Sequence, residues 1–159
     1  MSEQEKQALV TSLRLLSATP KSRKGLASKL EERGFPRTVI EGTLNQLEKQ
    51  GLLNDRSLAQ SLLQSYLYRR PSGRKRIAFE MGKRGIKDSL VEELLQKYTP
   101  DEEREKATEL ARHRRLRWKQ LDRGKRRKKL YDFLVRRGFD FSLSREVTES
   151  VEQEGMADE

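Results

Sequence analysis

The side chains that can do chemistry in this chain are mainly arginine and lysine, and they are concentrated in two segments. Residues 69–84 contain seven basic residues and one acidic residue, and residues 104–129 contain thirteen basic residues and three acidic ones. Cations at this density repel one another unless a polyanion or an acidic partner neutralises them. The charge pattern therefore indicates nucleic acid as the partner.

Within these segments the sequence predicts DNA-binding residues that contact phosphates and do not read bases, because no base-reading motif is present. Arg69, Arg76 and Lys83 are spaced seven apart and would share one face of a helix. The predicted set is Arg69, Arg70, Arg74, Lys75, Arg76, Lys83, Arg114, Arg115, Arg117, Lys119, Arg123, Lys125, Arg126, Arg127 and Lys128.

Part of this set forms the run Arg126, Arg127 and Lys128, which we interpret as lying off the apolar stripe that follows it. Reversing the charge of this run should then weaken DNA binding and leave helicity intact. Arg137, which precedes a glycine, is interpreted instead as a group that caps helix carbonyls. Tyr68 is a candidate for stacking on bases.

Other kinds of site are excluded by composition. There is no cysteine, and His113 is the single histidine, which we interpret as a surface residue. No glycine-rich phosphate loop and no metal-spaced cluster occur. The sequence therefore predicts no enzyme, no cofactor and no metal.

A membrane-surface helix is the competing interpretation of the second basic segment. It would need a continuous apolar face, but residues 104–129 offer few sizeable apolar groups. The chain also has no apolar run of membrane-spanning length, and its first residues lack the pattern of a secretory signal. We therefore expect a protein of the bacterial cytoplasm.

The elements that position these cations are predicted to be helices. Hydrophobic residues make up 33% of the 159 residues and charged residues 38%, with a net charge of +10, so any core is spread thinly. Three 22-residue segments that begin at Leu26, Ile77 and Leu130 align without a gap. Each contains apolar residues four apart, then a basic residue, then a glycine followed by a large apolar residue.

This pattern predicts a helix, a left-handed glycine stop and a second helix. The stop glycines are Gly34, Gly85 and Gly138. Another helix precedes each pair, and Thr99 and Asp140 are predicted N-caps. The prediction is an all-α fold of three tandem three-helix repeats, similar to helix-turn-helix units, that form an elongated curved rod. The repeats would span residues 1–54, 55–99 and 100–152, before an acidic disordered tail at 153–159.

The repeats resemble a known family. The string from Gly51 to Ala59, followed by residues 73–77 and 83–86, is similar to the central repeat of the RecX family, bacterial regulators of the RecA recombinase. Residues 136–139 resemble the last repeat of that family. The resemblance implies a protein that binds the groove of the RecA–DNA filament and suppresses the ATPase and strand-exchange activity of RecA. We expect a monomer whose partners are this filament and single- and double-stranded DNA.

Two alternatives stay open from the residues alone. Three-helix units also resemble sequence-specific DNA-binding domains, although no apolar dimer seam stands out. A general nucleic-acid-binding helical repeat protein, for DNA or RNA and without action on a recombinase, would carry the same charge pattern.

Overall fold

A computed structural model describes residues 1–158, and this part of the chain contains nine α-helices and no strand. A short π-helical turn, Ser65–Arg69, continues the fourth helix. The all-α prediction is confirmed. The helices are α1 (Glu3–Ala18), α2 (Arg23–Glu32), α3 (Arg37–Lys49), α4 (Asp55–Gln64), α5 (Arg74–Lys83), α6 (Asp88–Leu95), α7 (Pro100–Arg117), α8 (Arg123–Arg136) and α9 (Phe141–Ala157).

Several helices begin where a short polar side chain accepts a hydrogen bond from a free N–H group of the first turn. Thr99 accepts from the N–H of Glu102, and Asp140 accepts from the N–H of Leu143, as the sequence predicts. The proline at position 100 fits because it has no N–H to leave unpaired.

The predicted glycine stops are confirmed in all three repeats. Gly34, Gly85 and Gly138 have φ angles of +85°, +82° and +93°. The next residue in each case donates its N–H to the carbonyl five positions back, with N···O distances of 3.2, 3.1 and 3.1 Å. This is the Schellman bond, and it turns a large apolar residue back onto the end of the helix.

The backbone packs as two compact units. The first unit comprises residues 1–62 and 81–91, and the second comprises residues 63–80 and those from 92 onward. The middle repeat therefore contributes to both units, and the predicted repeat boundaries stay a prediction. The core of the first unit consists of Leu26, Leu30, Ile40, Leu44, Leu47 and Leu53.

The core of the second unit is built by α7, α8 and α9. Small residues on α7, Ala107 and Ala111, face larger ones on the other two helices. Close packing of small against large side chains lets these helices approach without voids. The larger residues of this core are Leu130, Phe133, Leu134, Phe139, Val147 and Val151.

Two features differ from the sequence predictions. Arg69 ends the π-helical turn and α5 begins only at Arg74, so Arg69 does not share a helix with Arg76 and Lys83. Pro71 lies between them and cannot continue a helix, because it lacks an N–H donor. In addition, residues 153–157 of the predicted disordered tail belong to α9, while residue 159 lies outside the described residues.

No helix in residues 1–158 is long and apolar enough to cross a membrane.

Candidate nucleic-acid interface

Exposed cations are concentrated where α7 ends, in the loop that follows it and in the first turn of α8. Arg117, Lys119, Arg123 and Lys125 lie within nine residues and are exposed; we call them the basic loop cluster. None of their side chains forms a salt bridge within the described part of the chain. The one carboxylate of this stretch, Asp122, caps α8 by accepting from the N–H of Lys125. The cluster is therefore available to an anion.

A second exposed group follows the π-helical turn. Arg69 and Arg70 are exposed directly before Pro71, and Lys75 is exposed at the start of α5. Lys83 is exposed as well and interacts with a neighbouring residue. With the exception of Lys83, all predicted DNA-binding residues belong to the second compact unit.

Arg74, one of the predicted set, has a structural role. Its Nη1 donates to the carbonyl of Leu95 at 2.8 Å, and its Nη2 donates to the carbonyl of Tyr98. Its backbone N–H donates to Glu103 at 2.7 Å. Arg74 thus binds the last carbonyl of α6, which also accepts from the N–H of Tyr98 at 3.0 Å, and a carbonyl in the turn that follows.

Three further members of the set are half-buried and already contact neighbours. Arg76 donates to the carbonyl of Arg136 at 3.4 Å. The guanidinium of Arg114 lies 4.5 Å from the ring centroid of Phe133, and Arg127 pairs with Glu149. These cations have less freedom to rearrange than the basic loop cluster.

Two members of the set are buried, and the structure removes them from the candidate phosphate contacts. Arg115 and Arg126 are 7% and 6% exposed, and their Nε atoms lie 2.7 and 2.8 Å from Oε2 of Glu152. Glu152 itself is 0% exposed. Burial alone would raise the pKa of Glu152, but the hydrogen bonds and charges of the two arginines lower it below its usual range.

The spacing of Arg126 was the signal that sequence reasoning missed. Arg126 is four residues before the core residue Leu130 and therefore lies on the buried face of α8, not off it. On α9, Ser144, Thr148 and Glu152 are also spaced by four and are all buried. The prediction that the run 126–128 is a free cationic surface is wrong at its first residue.

Glycines allow a close backbone contact between the start of α5 and the end of α8. The N–H of Gly73 donates to the carbonyl of Arg137 at 2.7 Å, and the N–H of Lys75 donates to the carbonyl of Gly138 at 3.1 Å. A Cβ atom on Gly138 would lie 2.4 Å from the backbone nitrogen of Arg76. Only glycine fits here.

Arg137 stabilises the loop before α5. Its Nε and Nη2 donate to the carbonyl of Pro71 at 3.0 and 2.7 Å. Burial lowers the pKa of Arg137, and the nearby charges of Arg76, Arg114 and Arg70 lower it further. Arg137 therefore caps a loop carbonyl, whereas the sequence interpretation assigned it to helix carbonyls.

The first unit contains an equivalent contact. The hydroxyl of Ser22 donates to the carbonyl of Arg84, and a Cβ on Gly85 would lie 2.9 Å from Cβ of Lys24. Gly85 and Gly138 are both stop glycines. The repeats thus share a packing rule, in which the start of the second helix of one repeat rests on the glycine stop of the next.

Exposed aromatic residues accompany the cations, and two of them were missed in the sequence. Tyr68, Phe79 and Phe141 are 68%, 64% and 58% exposed. Lys106 Nζ lies 4.8 Å from the ring centroid of Tyr68, and Lys75 Nζ lies 5.1 Å from that of Phe141. Exposed rings beside cations can stack on unpaired bases.

Metal-ligating side chains are not clustered in the described part of the chain. The described residues contain no group of three or more histidine, cysteine, aspartate or glutamate residues able to hold a metal ion. His113 is exposed. The site is therefore a set of exposed cations and aromatic rings on a helical scaffold.

These features define a helical repeat protein in which all but one of the predicted DNA-binding cations lie in the second unit. Three family models match in order: the first RecX three-helix domain at residues 8–47, the second at 54–95 and the third at 101–148. The chain belongs to the RecX family, which is a family of regulatory proteins.

Individual relatives agree with this assignment. The regulatory protein RecX of Chlorobium phaeobacteroides (strain BS1) is 33% identical over 147 residues, which cover 92% of this chain and 95% of the relative. That of Streptomyces coelicolor is 32% identical over 150 residues, covering 94% of this chain and 80% of the relative. The crystal structure of RecX from Lactobacillus salivarius superimposes with a TM-score of 0.82 at 23% identity, covering 96% of this chain and 99% of that one, which confirms the fold.

Proposed function

We propose that this chain regulates the RecA recombinase by binding the RecA–DNA filament and suppressing its ATP hydrolysis and strand exchange. The observation that carries the proposal is the ordered match of all three RecX domains along one chain. Relatives that bear the name regulatory protein RecX cover at least nine-tenths of this chain. We expect the protein to act as a monomer, as a regulator and not as an enzyme, in the bacterial cytoplasm.

Contact with DNA phosphates is the second part of the proposal. The basic loop cluster and Arg69 and Arg70 support it, because these side chains are exposed and form no salt bridge within residues 1–158. Exposed cations that have no carboxylate partner can bind phosphates and release the counterions of the polyanion without first breaking a salt bridge. Arg115 and Arg126 are not part of this surface.

The test is the single-stranded-DNA-dependent ATP hydrolysis of RecA, with this protein added after filaments have formed. We expect inhibition at well below one copy per RecA monomer, as a filament-directed regulator would give. Inhibition that requires enough protein to saturate the DNA would mean competition for DNA. No inhibition would refute action on RecA.

A second candidate function is general binding of single-stranded nucleic acid. The observation that favours it is the exposure of Tyr68 and Phe141 beside lysines, since ring stacking does not depend on a recombinase. Binding of DNA and RNA oligonucleotides in the absence of RecA separates the two. Equal affinity for both, together with no effect on RecA, would favour this second function.

A further inference from the structure

A cleft between α8 and α9 carries features that the proposed function does not explain. Its volume is about 470 Å³, which is within the range of small-ligand sites. Its lining includes three basic side chains, two hydroxyl-bearing side chains and one carboxylate. These are Arg127, Lys128, Arg145, Tyr131, Thr148 and Glu149.

Thr148 is the first sign of a ligand. It is 3% exposed, and its Oγ1 is buried without a hydrogen-bond partner among the described residues. Thr43 and Thr108, also within helices, donate to the carbonyl four residues back at 2.8 Å in both cases. Thr148 does not make that bond. Buried hydroxyls are nearly always paired, so an unpaired one on a residue that lines a cleft suggests a partner from outside the chain.

The charge of the cleft indicates an anion. Three cations face one carboxylate in its lining. Arg127 pairs with Glu149, and Lys128 pairs with Asp132 at 2.9 Å. Arg145 is exposed and has no carboxylate partner within residues 1–158. At least one guanidinium is therefore free to bind.

The position of the cleft adds to this preference. Gly124, in the first turn of α8, also lines it and presents no side chain there. The N–H groups of a first helical turn carry partial positive charge and favour anions, and in α8 the N–H of Lys125 already binds the carboxylate of Asp122. Guanidinium groups and hydroxyls together suit a phosphate, whose several oxygens accept hydrogen bonds from different directions.

We propose that the α8–α9 cleft binds one phosphate group of a nucleic-acid backbone, through Arg145, Arg127 and the Thr148 hydroxyl, and that Glu149 competes with this phosphate for Arg127. The choice of nucleic acid as the source of the phosphate rests on the proposed function. The cleft would then fix the register of the strand on the second unit, while the basic loop cluster supplies unspecific attraction.

The experiment follows backbone amide NMR signals of the full chain during titration with inorganic phosphate against chloride at constant ionic strength. Signals of Gly124, Arg145 and Thr148 should shift and saturate. Glu149→Gln should raise the affinity for phosphate about fivefold, because it removes one adjacent negative charge and releases Arg127 from its pair.

Glu154→Gln is the matched control for this variant. Glu154 is exposed on the same helix, lies outside the cleft lining and pairs with Arg112 of α7 at 2.9 Å. Its replacement therefore changes the net charge by the same amount and also releases one arginine, but away from the cleft. It should change the affinity for phosphate less than twofold.

Thr148→Val is the third variant, and it leaves the charge of the cleft unchanged. It keeps the shape of the side chain and removes the unpaired hydroxyl, so it should weaken phosphate binding about threefold without lowering the melting temperature. A lower melting temperature with unchanged phosphate affinity would show a merely structural role. Such a result, or equal effects of Glu149→Gln and Glu154→Gln, would overturn the proposal.

An oligothymidylate without terminal phosphates identifies the source of the phosphate. Displacement of inorganic phosphate from the cleft by this oligonucleotide supports a backbone phosphate. Phosphate binding that the oligonucleotide does not disturb overturns that choice and indicates a free phosphate-bearing ligand. Neither result uses RecA, so failure of the wild-type chain to inhibit RecA would refute the proposed function and leave this result standing.

Discussion

Nε of Arg126 on α8 lies 2.8 Å from Oε2 of Glu152 on α9, and both side chains are buried. Arg115 on α7 binds the same carboxylate oxygen. The three helices of the last repeat therefore meet at one buried negative charge. A buried carboxylate between two guanidinium groups holds the helices in one arrangement, because moving them apart would break two buried, charge-assisted hydrogen bonds.

Replacing this carboxylate should destabilise the second unit. We expect Glu152→Gln to lower the free energy of unfolding by about 3 kcal/mol, because it removes the buried negative charge that Arg115 and Arg126 both bind. Urea unfolding followed by circular dichroism measures the effect. Glu146→Gln is the control on the same helix: it breaks only an exposed pair with Arg104, so it should cost less than about 1 kcal/mol. Equal effects of the two variants would contradict the role of Glu152.

The same carboxylate should make stability depend on acid. The folded chain lowers the pKa of Glu152, so its contribution is fully present above the unfolded pKa of about 4.3 and is lost as the pH falls through the lower folded value. The difference in unfolding free energy between wild type and Glu152→Gln should therefore be constant from about pH 7 to 5 and shrink below about pH 4. A difference that grows on acidification would contradict this sign.

The glycine stops could be predicted because their positions require a positive φ angle, which glycine adopts readily. The same local reasoning failed for Arg126, because the sequence near α8 does not contain its partner: Glu152 lies 26 residues away. The basic run at the start of α8 therefore contains both exposed and buried cations. Spacing from the apolar stripe separates the two kinds, but only the structure identifies Glu152 as the group that makes burial possible.

The cleft at Thr148 could not be predicted for a related reason. The sequence places Thr148 on the buried face of α9, where a bond to its own helix is the ordinary outcome. That this bond is missing depends on the side-chain conformation. Exposure of Phe79 and Phe141 likewise depends on which helix faces remain uncovered in the fold.

The close contact at Gly138 predicts a difference between two stop glycines. Gly34→Ala should lower stability by about 1 kcal/mol, because it adds only left-handed strain and no atom lies within 4 Å of the new Cβ. Gly138→Ala adds the same strain and a backbone clash with Arg76, so it should cost about 3 kcal/mol or more. Urea midpoints of the two variants make the comparison, and equal midpoints would show that the Gly138 contact is loose.

The loop before α5 provides a prediction about Tyr98. Its hydroxyl donates to the carbonyl of Ser72 at 3.0 Å, and Tyr98 is 1% exposed. Tyr98→Phe should destabilise the chain by about 1–2 kcal/mol, since the buried carbonyl loses its partner while the ring still fills its place. Tyr68→Phe, at an exposed ring, is the control and should be neutral. Thermal unfolding of both variants tests the pair, and a neutral Tyr98→Phe would contradict the bond.

The basic loop cluster should account for much of the salt dependence of DNA binding. Each phosphate contact with a single strand contributes about 0.7 to the slope of log affinity against log salt. Changing Arg117, Lys119, Arg123 and Lys125 to glutamine should therefore reduce that slope by up to about 3 and weaken binding at low salt. Fluorescence anisotropy with a labelled oligonucleotide measures the slope at several salt concentrations.

A variant with the same net charge separates local contact from overall attraction. Arg14, Arg33, Arg37 and Lys49 are exposed cations of the first unit, and their change to glutamine removes the same four charges. If phosphates contact the basic loop cluster, this control should keep most of the wild-type slope, because it leaves every cation of the cluster in place. Equal slopes for the two variants would mean that only net charge attracts DNA. The cluster, unlike the buried Arg126, can be changed without opening the contact between α8 and α9, so loss of binding would not reflect loss of fold.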